Sequence, residues 1–247
     1  MKADPQDQLR LLEVQALDSR ADQLRHRRGN LPELAEMATL SSSRGLDEDR
    51  RRDQQIVVDD LAAAQKKADQ DVETVKARRT RDRDRMDQGL ITNPKDLERM
   101  QHELESLERR IGTLEDEELE IMEQLEGAQA TLDEMTQRVA ASDERLAELA
   151  EVRDRVQAEI DAELAEVAAQ RGPAAEGLPD DLVALYERLR ASKGGVGAAA
   201  LTQRRCTGCQ LGIDNAELAV IRGSAEDQVI RCEECQRILV RTPESGL

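Results

Sequence analysis

The sequence predicts a mainly α protein, with a long antiparallel coiled-coil hairpin over residues 1–172 and a small C-terminal β domain over residues 201–247. The 247-residue chain is 36% charged and contains neither Phe nor Trp. That composition is typical of long helices, because aromatic side chains normally supply much of the buried area of a compact core. A heptad pattern of apolar residues runs through the middle of the chain, and all four cysteines lie near its C-terminus.

The first arm of the hairpin is predicted to form two helices. Gly29-Asn30-Leu31-Pro32 should break the arm, because proline cannot continue the hydrogen bonding of a preceding helix. A short helix over about 5–28 would then precede a longer one that begins at about 33. The stretch from Ser41 to Gln55 is almost entirely polar and includes Gly45. The apolar seam is weak there, so we expect bending or local fraying.

The hairpin tip is predicted near residues 89–94. Asn93 suits an N-cap, and Pro94 suits the first position of a helix. From Leu97 to Val167, apolar residues recur at alternating intervals of three and four, which predicts one helix of about 75 residues that ends at Arg171-Gly172-Pro173. The polar exceptions in this pattern are Glu118, Ser142, Arg153 and Glu163.

An apolar stripe needs a partner in water, and folding the chain back at the tip supplies one. The predicted antiparallel register pairs residues whose numbers add to about 183. It sets apolar residues of the two arms opposite one another, in the pairs Leu97–Met86, Leu107–Val75, Ile111–Val72, Ile121–Leu61 and Ile160–Leu24.

Residues 173–200 are predicted to connect the hairpin to the C-terminal domain. A short helix from Pro179 to Ala191 would present Leu182, Leu185, Tyr186 and Leu189 on one face. Three glycines follow it, and we expect them to form a flexible link: Gly194, Gly195 and Gly197.

The four cysteines form two C-x2-C pairs, Cys206/Cys209 and Cys232/Cys235, with twenty-two residues between the pairs. Each pair can present two thiolates to one ion, and two such knuckles complete the tetrahedral coordination of Zn²⁺. The sequence therefore predicts a C4 zinc ribbon over residues 201–247 that holds one structural zinc. The alternatives are two redox-active dithiols or cysteines with no joint role. Against the dithiols, no thioredoxin-like βαβ pattern surrounds either pair.

Strand-like residues flank both knuckles, at Gln210 to Ile213, Gln228 to Arg231 and Ile238 to Arg241, and Asn215 to Arg222 can form a short helix. The ribbon also contains six arginines that are candidates for binding nucleic acid or a partner: Arg204, Arg205, Arg222, Arg231, Arg237 and Arg241. We expect Arg205, Arg231 and Arg237 to offset the negative charge of a four-thiolate zinc site.

The hairpin, its Asn-Pro-Lys-Asp turn at residues 93–96, the Cys-x-Gly-Cys knuckle and the final Cys-x-x-Cys-Gln-Arg-Ile-Leu run resemble a bacterial family over nearly the whole chain. Its members are coiled-coil hairpin proteins with a C-terminal C4-type zinc ribbon, a group associated with nucleic-acid binding. The resemblance implies that Cys206, Cys209, Cys232 and Cys235 are the zinc ligands, and that the protein is an adaptor or an RNA-binding protein, not an enzyme. The sequence departs from the family at Gln210 and Gln236, where many such ribbons have Gly.

We interpret the protein first as a non-catalytic zinc-binding adaptor that binds protein partners through the hairpin and the ribbon. Nucleic-acid binding by the ribbon is the alternative. A net charge of −17 argues against general affinity for polyphosphate, and the ribbon has no aromatic residue to stack on bases.

Enzymatic activity is not expected. The two histidines, His26 and His102, lie far apart along the predicted hairpin, and the many Asp and Glu residues are spread at helical spacing with no pocket that would shift the pKa values of their carboxyl groups. We see no secretory signal or apolar run long enough to span a bilayer, so we expect a cytoplasmic protein with reduced cysteines and no membrane contact. The sequence leaves the oligomeric state open.

Overall fold

The computed structural model describes residues 1–247 and divides into two compact units. Unit 1 contains residues 1–34 and 151–247, and unit 2 contains residues 35–150. None of the helices has the length and apolar character needed to cross a bilayer. The helices are α1 (Pro5–Gly29), α2 (Pro32–Asp87), α3 (Pro94–Ala175), α4 (Asp180–Ser192) and α5 (Asn215–Gly223).

Helices α1 and α2 confirm the predicted break in the first arm. The Asp4 side chain caps α1 by accepting a hydrogen bond from the Gln6 amide at 2.8 Å, and Pro5 stands at its first position. The helix ends at Gly29, where the Asn30 side chain donates to the His26 carbonyl at 2.7 Å. Pro32 then begins α2, whose N-terminal position suits a residue without an N–H.

The fraying expected between Ser41 and Gln55 is not observed, because α2 is helical without interruption through this stretch. Polar contacts to α3 take the place of the apolar seam. Arg44 pairs with Asp143 at 2.8 Å, and Gln54 donates to the Ala128 carbonyl at 3.0 Å. The side-chain hydrogen bond from Arg51 also lowers the pKa of Glu48 to about 2, so the carboxylate stays charged. Polar side chains can therefore hold a helical pair together when each finds a partner.

The tip follows the prediction. Between α2 and α3, Gly89 adopts a left-handed conformation with φ of 67°, which glycine reaches without a steric penalty. The Asn93 side chain accepts a hydrogen bond from the Lys95 amide at 3.1 Å, as expected of an N-cap.

The end of α3 differs from the prediction, because the helix continues through Pro173 to Ala175. Proline lacks an N–H and so removes one intrahelical hydrogen bond. The carbonyl left without this donor is that of Ala169, which lies on the exposed side of the helix, where water can take the place of the missing N–H. The chain leaves the helix only where Gly177 takes a φ of 77°.

A four-stranded sheet forms in unit 1, in the order β2-β1-β4-β3; its strands are β1 (Ala198–Thr202), β2 (Arg205–Cys206), β3 (Ile230–Arg231) and β4 (Ile238–Arg241). Strands β1 and β4 run parallel, and the two outer pairings are antiparallel. Of the strand-like segments predicted, β4 agrees fully, β3 is shorter, and the residues from Gln210 to Ile213 form only a bridge at Gly212.

The sheet is buried on both faces, which explains the continuous apolar run in β4. Ile238 and Val240 pack into a core with residues of α1 and α4, including Leu11 and Tyr186. Leu239 points into the other core, which contains Cys206, Cys232 and residues of α5. Strand β4 thus contributes to both cores, the one formed with α1 and α4 and the one that contains the cysteines.

The segment expected to be a flexible link is held in place within unit 1. The Gln15 side chain on α1 accepts hydrogen bonds from the amides of Gly197 (2.7 Å) and Ala198 (3.2 Å), and donates to the Gly195 carbonyl at 3.0 Å. A Cβ on Gly197 would lie 2.6 Å from the Tyr186 carbonyl oxygen. The glycines therefore permit close packing and a tight turn, and β1 begins inside the stretch assigned to the link.

A buried ion-pair network further ties α1 to α3 and α4. Asp18, 5% exposed, accepts hydrogen bonds from Arg171 at 2.7 Å and from the Tyr186 hydroxyl at 2.7 Å. Arg190 lies 3.5 Å from Asp18 and donates to Asp22 at 2.6 Å. Burial raises the pKa of Asp18, but the hydrogen bonds from Arg171 and Tyr186 outweigh burial and leave that pKa below its usual value. Asp18 is thus charged and fully paired.

Candidate metal centre

Each cysteine pair lies in a tight turn. The turn with Cys206 and Cys209 follows β2, and the turn with Cys232 and Cys235 joins β3 to β4. Cys206 ends β2, and Cys232 follows β3. The sulfur of Cys206 lies 3.9 Å from that of Cys235, and the sulfur of Cys209 lies 4.0 Å from that of Cys232. All four sulfur atoms fall within 4.8 Å of one another.

These distances suit a single zinc ion. Tetrahedral coordination with Zn–S bonds of about 2.3 Å requires neighbouring sulfurs to be about 3.8 Å apart. Cys206 and Cys232 are buried, whereas Cys209 and Cys235 are partly exposed. Four protein ligands fill the tetrahedron and leave no position for a reactive water, so the zinc is structural.

The surroundings of the buried cysteines and of Cys235 shift the pKa values of their thiols. Burial raises the pKa of Cys206 to about 12 and also raises the pKa of Cys232. Burial also acts on Cys235, but the backbone amide and side chain of Arg237 outweigh it and lower that pKa to about 7. A cation at the centre of the cluster would stabilise all four thiolates.

The two knuckles have the same backbone hydrogen bonds, and both contain a glutamine where related ribbons often have glycine. Gln210 and Gln236 each adopt a φ of 62°, a conformation that is strained for residues with a Cβ. Their amides donate to the carbonyls of Cys206 and Cys232, both at 2.8 Å. The glutamine side chains also fold back onto carbonyls within their own knuckles, those of Thr207 (2.7 Å) and Glu233 (2.9 Å). The knuckle shape is therefore kept without glycine.

The arginine that directly precedes each C-x2-C pair stabilises the backbone of its knuckle. Arg205 donates to the carbonyl of Gln210 at 2.6 Å, and Arg231 donates to that of Gln236 at 3.0 and 2.9 Å. Both arginines thus act on the backbone. The sequence signal was present in the repeated pattern Arg-Cys-x-x-Cys-Gln, but its structural meaning was missed.

Arg237 has a different position, because it reaches both the ribbon and the segment before β1. Its guanidinium donates to the carbonyls of Val196 (2.9 Å), Gly208 (3.1 Å) and Lys193 (2.7 Å). Of the three arginines expected to offset the zinc charge, it is the one whose side chain lowers a cysteine pKa.

The other three candidate arginines lie apart from the cysteines. Arg204 holds the C-terminal tail by donating to the Gly246 carbonyl at 3.0 Å. Arg241 donates to several carbonyls around the end of α5, at 2.6 Å to Ala225 and 2.8 Å to Glu226. Arg222 is exposed in the last turn of α5 and makes no hydrogen bond or ion pair. Five of the six arginines therefore have structural contacts.

Neither histidine lies in an enclosed site. His26 is exposed at the end of α1, within 3.3 Å of the Asn30 side chain. His102 is exposed on α3, with its ring 3.7 Å from Glu105. Both are surface residues of helices.

A coiled-coil hairpin joined to a closed four-cysteine ribbon defines a class of zinc-stabilised hairpin proteins. Residues 14–194 match the CT398-like coiled coil hairpin domain, and residues 205–239 match the C4-type zinc ribbon domain. The chain therefore belongs to the family of CT398-like coiled-coil hairpin proteins that carry this ribbon.

Relatives match the chain over almost its whole length. It is 36% identical over 241 residues to MT2288 and Rv2229c, proteins from two strains of Mycobacterium tuberculosis, covering 98% of this chain and of each relative. A solved structure from Mycobacterium smegmatis has 36% identity and a TM-score of 0.85, covering 98% of this chain and 100% of that one. CT398 from Chlamydia trachomatis shares the fold at 17% identity, with a TM-score of 0.69 over 96% of this chain and 98% of its own.

Proposed function

We propose that this protein is a non-catalytic, zinc-stabilised adaptor that binds protein partners. The observation that carries the proposal is a surface in unit 2, where Leu119 and Met122 on α3 are 57% and 42% exposed. They lie one turn apart beside a groove between α2 and α3, outside the stripe that joins the two helices. Adjacent apolar side chains left in solvent are typical of an interaction surface.

The metal centre supports a non-catalytic role. Four cysteine ligands saturate the zinc and leave it no site for substrate or water. The ribbon then serves to order the end of the chain, because its core consists largely of the cysteines and a few aliphatic residues.

Nucleic-acid binding by the ribbon is the second candidate. Its basis is weaker than the sequence suggested, because Arg204, Arg205, Arg231, Arg237 and Arg241 donate to backbone carbonyls. Arg222 remains available on the surface. The informative substitution is therefore Arg222→Ala, since replacing the other arginines would disturb the ribbon itself.

Cross-linking in the native cells, followed by purification of the tagged full-length chain with and without nuclease treatment, tests the two candidates. We expect one or a few proteins to be recovered reproducibly whether or not nuclease is added. Recovery of nothing would contradict the adaptor proposal. Recovery of material that disappears with nuclease and with Arg222→Ala would contradict it as well and favour nucleic-acid binding.

A further inference from the structure

The groove beside Leu119 and Met122 has an apolar floor formed by both arms in unit 2. Residues on α2 and α3 contribute to it, and the long helices leave it open to solvent. We call it the acidic groove. The apolar side chains that line it are Val58, Ala62, Leu119, Met122, Leu125 and Ala130.

Small residues explain why the groove exists. The α2 helix has Ala62-Ala63-Ala64 here, and α3 has Gly127-Ala128 and Ala130. Short side chains leave part of the neighbouring apolar surface uncovered, so Leu119 stays exposed although the seam residue Val58 is buried. A hairpin that needed only its own stability could fill this space with larger apolar residues.

The rim of the groove is negatively charged. Glu123, Glu126 and Asp133 line it, and the first two make no ion pair. Residues 111–137 of α3 include nine acidic side chains and no Lys or Arg, and residues 56–65 of α2 include two acidic side chains and no basic one. The nearest basic residues on α2, Lys66 and Lys67, do not line the groove. Apolar surface and uncompensated negative charge therefore coincide.

We propose that the acidic groove binds a basic amphipathic helix of a partner protein. Apolar side chains on one face of that helix, spaced at i, i+3, i+4 and i+7, would cover Leu119 and Met122. Lys and Arg flanking that face would pair with Glu123 and Glu126 on the rim. This inference rests on the proposed adaptor function and specifies the chemistry of the partner.

A second copy of the chain suits the groove less well. In a two-fold dimer formed through this surface, the same patch from each copy would meet its counterpart. The acidic rims would then face each other without basic residues between them, and like charges in contact oppose association. Charge complementarity therefore favours a basic partner.

The probe for this proposal is a fluorescein-labelled peptide of about 18 residues, or five helical turns, built from Leu and Lys with leucines on one helical face. Two control peptides accompany it: a permuted version with the leucines spread around the helix, and a version with Glu in place of Lys. Anisotropy titrations use the zinc-loaded, full-length chain at low and moderate salt. We expect the amphipathic basic peptide to bind best and the acidic peptide to show no binding.

A matched pair of leucines tests whether the apolar floor is involved. Leu119 and Leu46 are 57% and 58% exposed in unit 2, but only Leu119 lines the groove. We expect Leu119→Gln to weaken peptide binding about tenfold, the effect of leaving one large apolar side chain unburied. Leu46→Gln should leave affinity unchanged, and both variants should retain the helix content of the original chain.

A matched pair of double variants tests the rim. Glu123→Gln with Glu126→Gln removes two charges that line the groove, whereas Glu120→Gln with Glu134→Gln removes two charges of α3 that do not line it. If the charges act locally, the first pair should weaken binding several-fold and reduce its salt dependence, and the second pair should have a much smaller effect. Equal effects would mean only general attraction to an acidic chain.

Besides equal effects of the two double variants, three results would overturn the proposal: equal binding of the amphipathic and permuted peptides, equal loss of affinity in Leu119→Gln and Leu46→Gln, or a chain dimer in analytical ultracentrifugation that Leu119→Gln dissociates. The last result would assign the groove to a second copy. None of these results removes nuclease-resistant partners recovered from cells, so a failure of this inference remains distinguishable from a failure of the adaptor proposal.

Discussion

The two compact units hold their helices together by different means. In unit 1, α1 and the end of α3 pack against α4 and a sheet that is buried on both faces, and a buried carboxylate links three of these helices. In unit 2, the only residues of α2 that are fully buried are Val58 and Val72, and ion pairs between exposed side chains accompany the narrow seam. Stability in unit 1 should therefore depend on single residues, whereas in unit 2 it should be spread along the seam.

The largest effect is expected from removing one zinc ligand in unit 1. Cys206→Ser leaves three sulfurs and takes away the ion around which the ribbon core is built. Structural zinc in small modules contributes about 10–16 kcal/mol of apparent binding free energy. We expect zinc content, measured by plasma mass spectrometry, to fall to near zero and β1 and β4 to lose protection from hydrogen exchange.

The matched control is Glu234→Gln in the second knuckle. Glu234 is exposed and forms no side-chain hydrogen bond, so this variant should retain its zinc. Helices of unit 2 should keep their exchange protection in both variants. Zinc retained at full occupancy by Cys206→Ser would show that the ribbon does not need its fourth ligand.

The next largest effect is expected at the buried carboxylate of unit 1. Asp18→Asn keeps the shape of the side chain but removes the charge that Arg171 and Arg190 face. Removing one partner of a buried ion pair costs about 3–5 kcal/mol. Because the Arg171 side chain is 35% exposed, we expect Asp18→Asn to lower the free energy of unfolding by about 2–3 kcal/mol. Denaturant unfolding followed by circular dichroism measures this change. Tyr186→Phe, which removes only the hydroxyl donor to Asp18, should cost about 1 kcal/mol.

Asp18→Asn should also change how the stability of the protein responds to acid. The pKa of Asp18 is lower in the folded state than its unfolded value of about 3.9. Its contribution is fully present above that value and is lost as the pH falls through the lower folded pKa. The stability difference between the original chain and Asp18→Asn should therefore be constant near neutral pH and shrink below about pH 4. The neighbouring carboxylates Asp22 and Glu187 are present in both proteins, so their titration largely cancels in the comparison. A stability difference that stayed constant down to strong acid would contradict the assignment of the effect to Asp18.

Glycine-to-alanine substitutions should have opposite signs in the two units. At Gly197 in unit 1, a Cβ would lie 2.6 Å from a backbone oxygen, so Gly197→Ala should destabilise the protein by about 1–3 kcal/mol. At Gly112 in α3 of unit 2, a Cβ would meet no atom within 4 Å. There Gly112→Ala should stabilise the helix by up to about 1 kcal/mol, because alanine loses less backbone entropy. Thermal unfolding of both variants measures the contrast, and the same sign at both positions would contradict it.

The contrast between the units also explains what the sequence could predict. The heptad pattern, the capping residues at the tip and the paired C-x2-C motifs are local signals, and they predicted the hairpin, its turn and the zinc ligands. The role of Gln15, which binds the backbone of Gly197, depends on a contact between residues far apart in sequence. A lone glutamine on a polar helix gives no sign of that contact.

Strand β1 was missed for a related reason. Ala198-Ala199-Ala200 favours helix by propensity, but its residues pair with β4 and are covered on both faces. Tertiary packing outweighed the local preference there. The contacts of the ribbon arginines could not be predicted either, because their charge gives no sign that five of the six donate to backbone carbonyls.

The smallest effect is expected from an ion pair in unit 2. Arg44 and Asp143 are 33% and 51% exposed and lie 2.8 Å apart where the seam is polar. Arg44→Ala should cost less than about 1 kcal/mol, since water and salt screen such pairs. Double-mutant cycles with Asp143→Ala measure the coupling, and the exposed pair Arg145–Glu36 provides a second case. A coupling above about 2 kcal/mol would show that the polar stretch of α2 depends on individual residues as unit 1 does, because such a value is expected only for charges shielded from water.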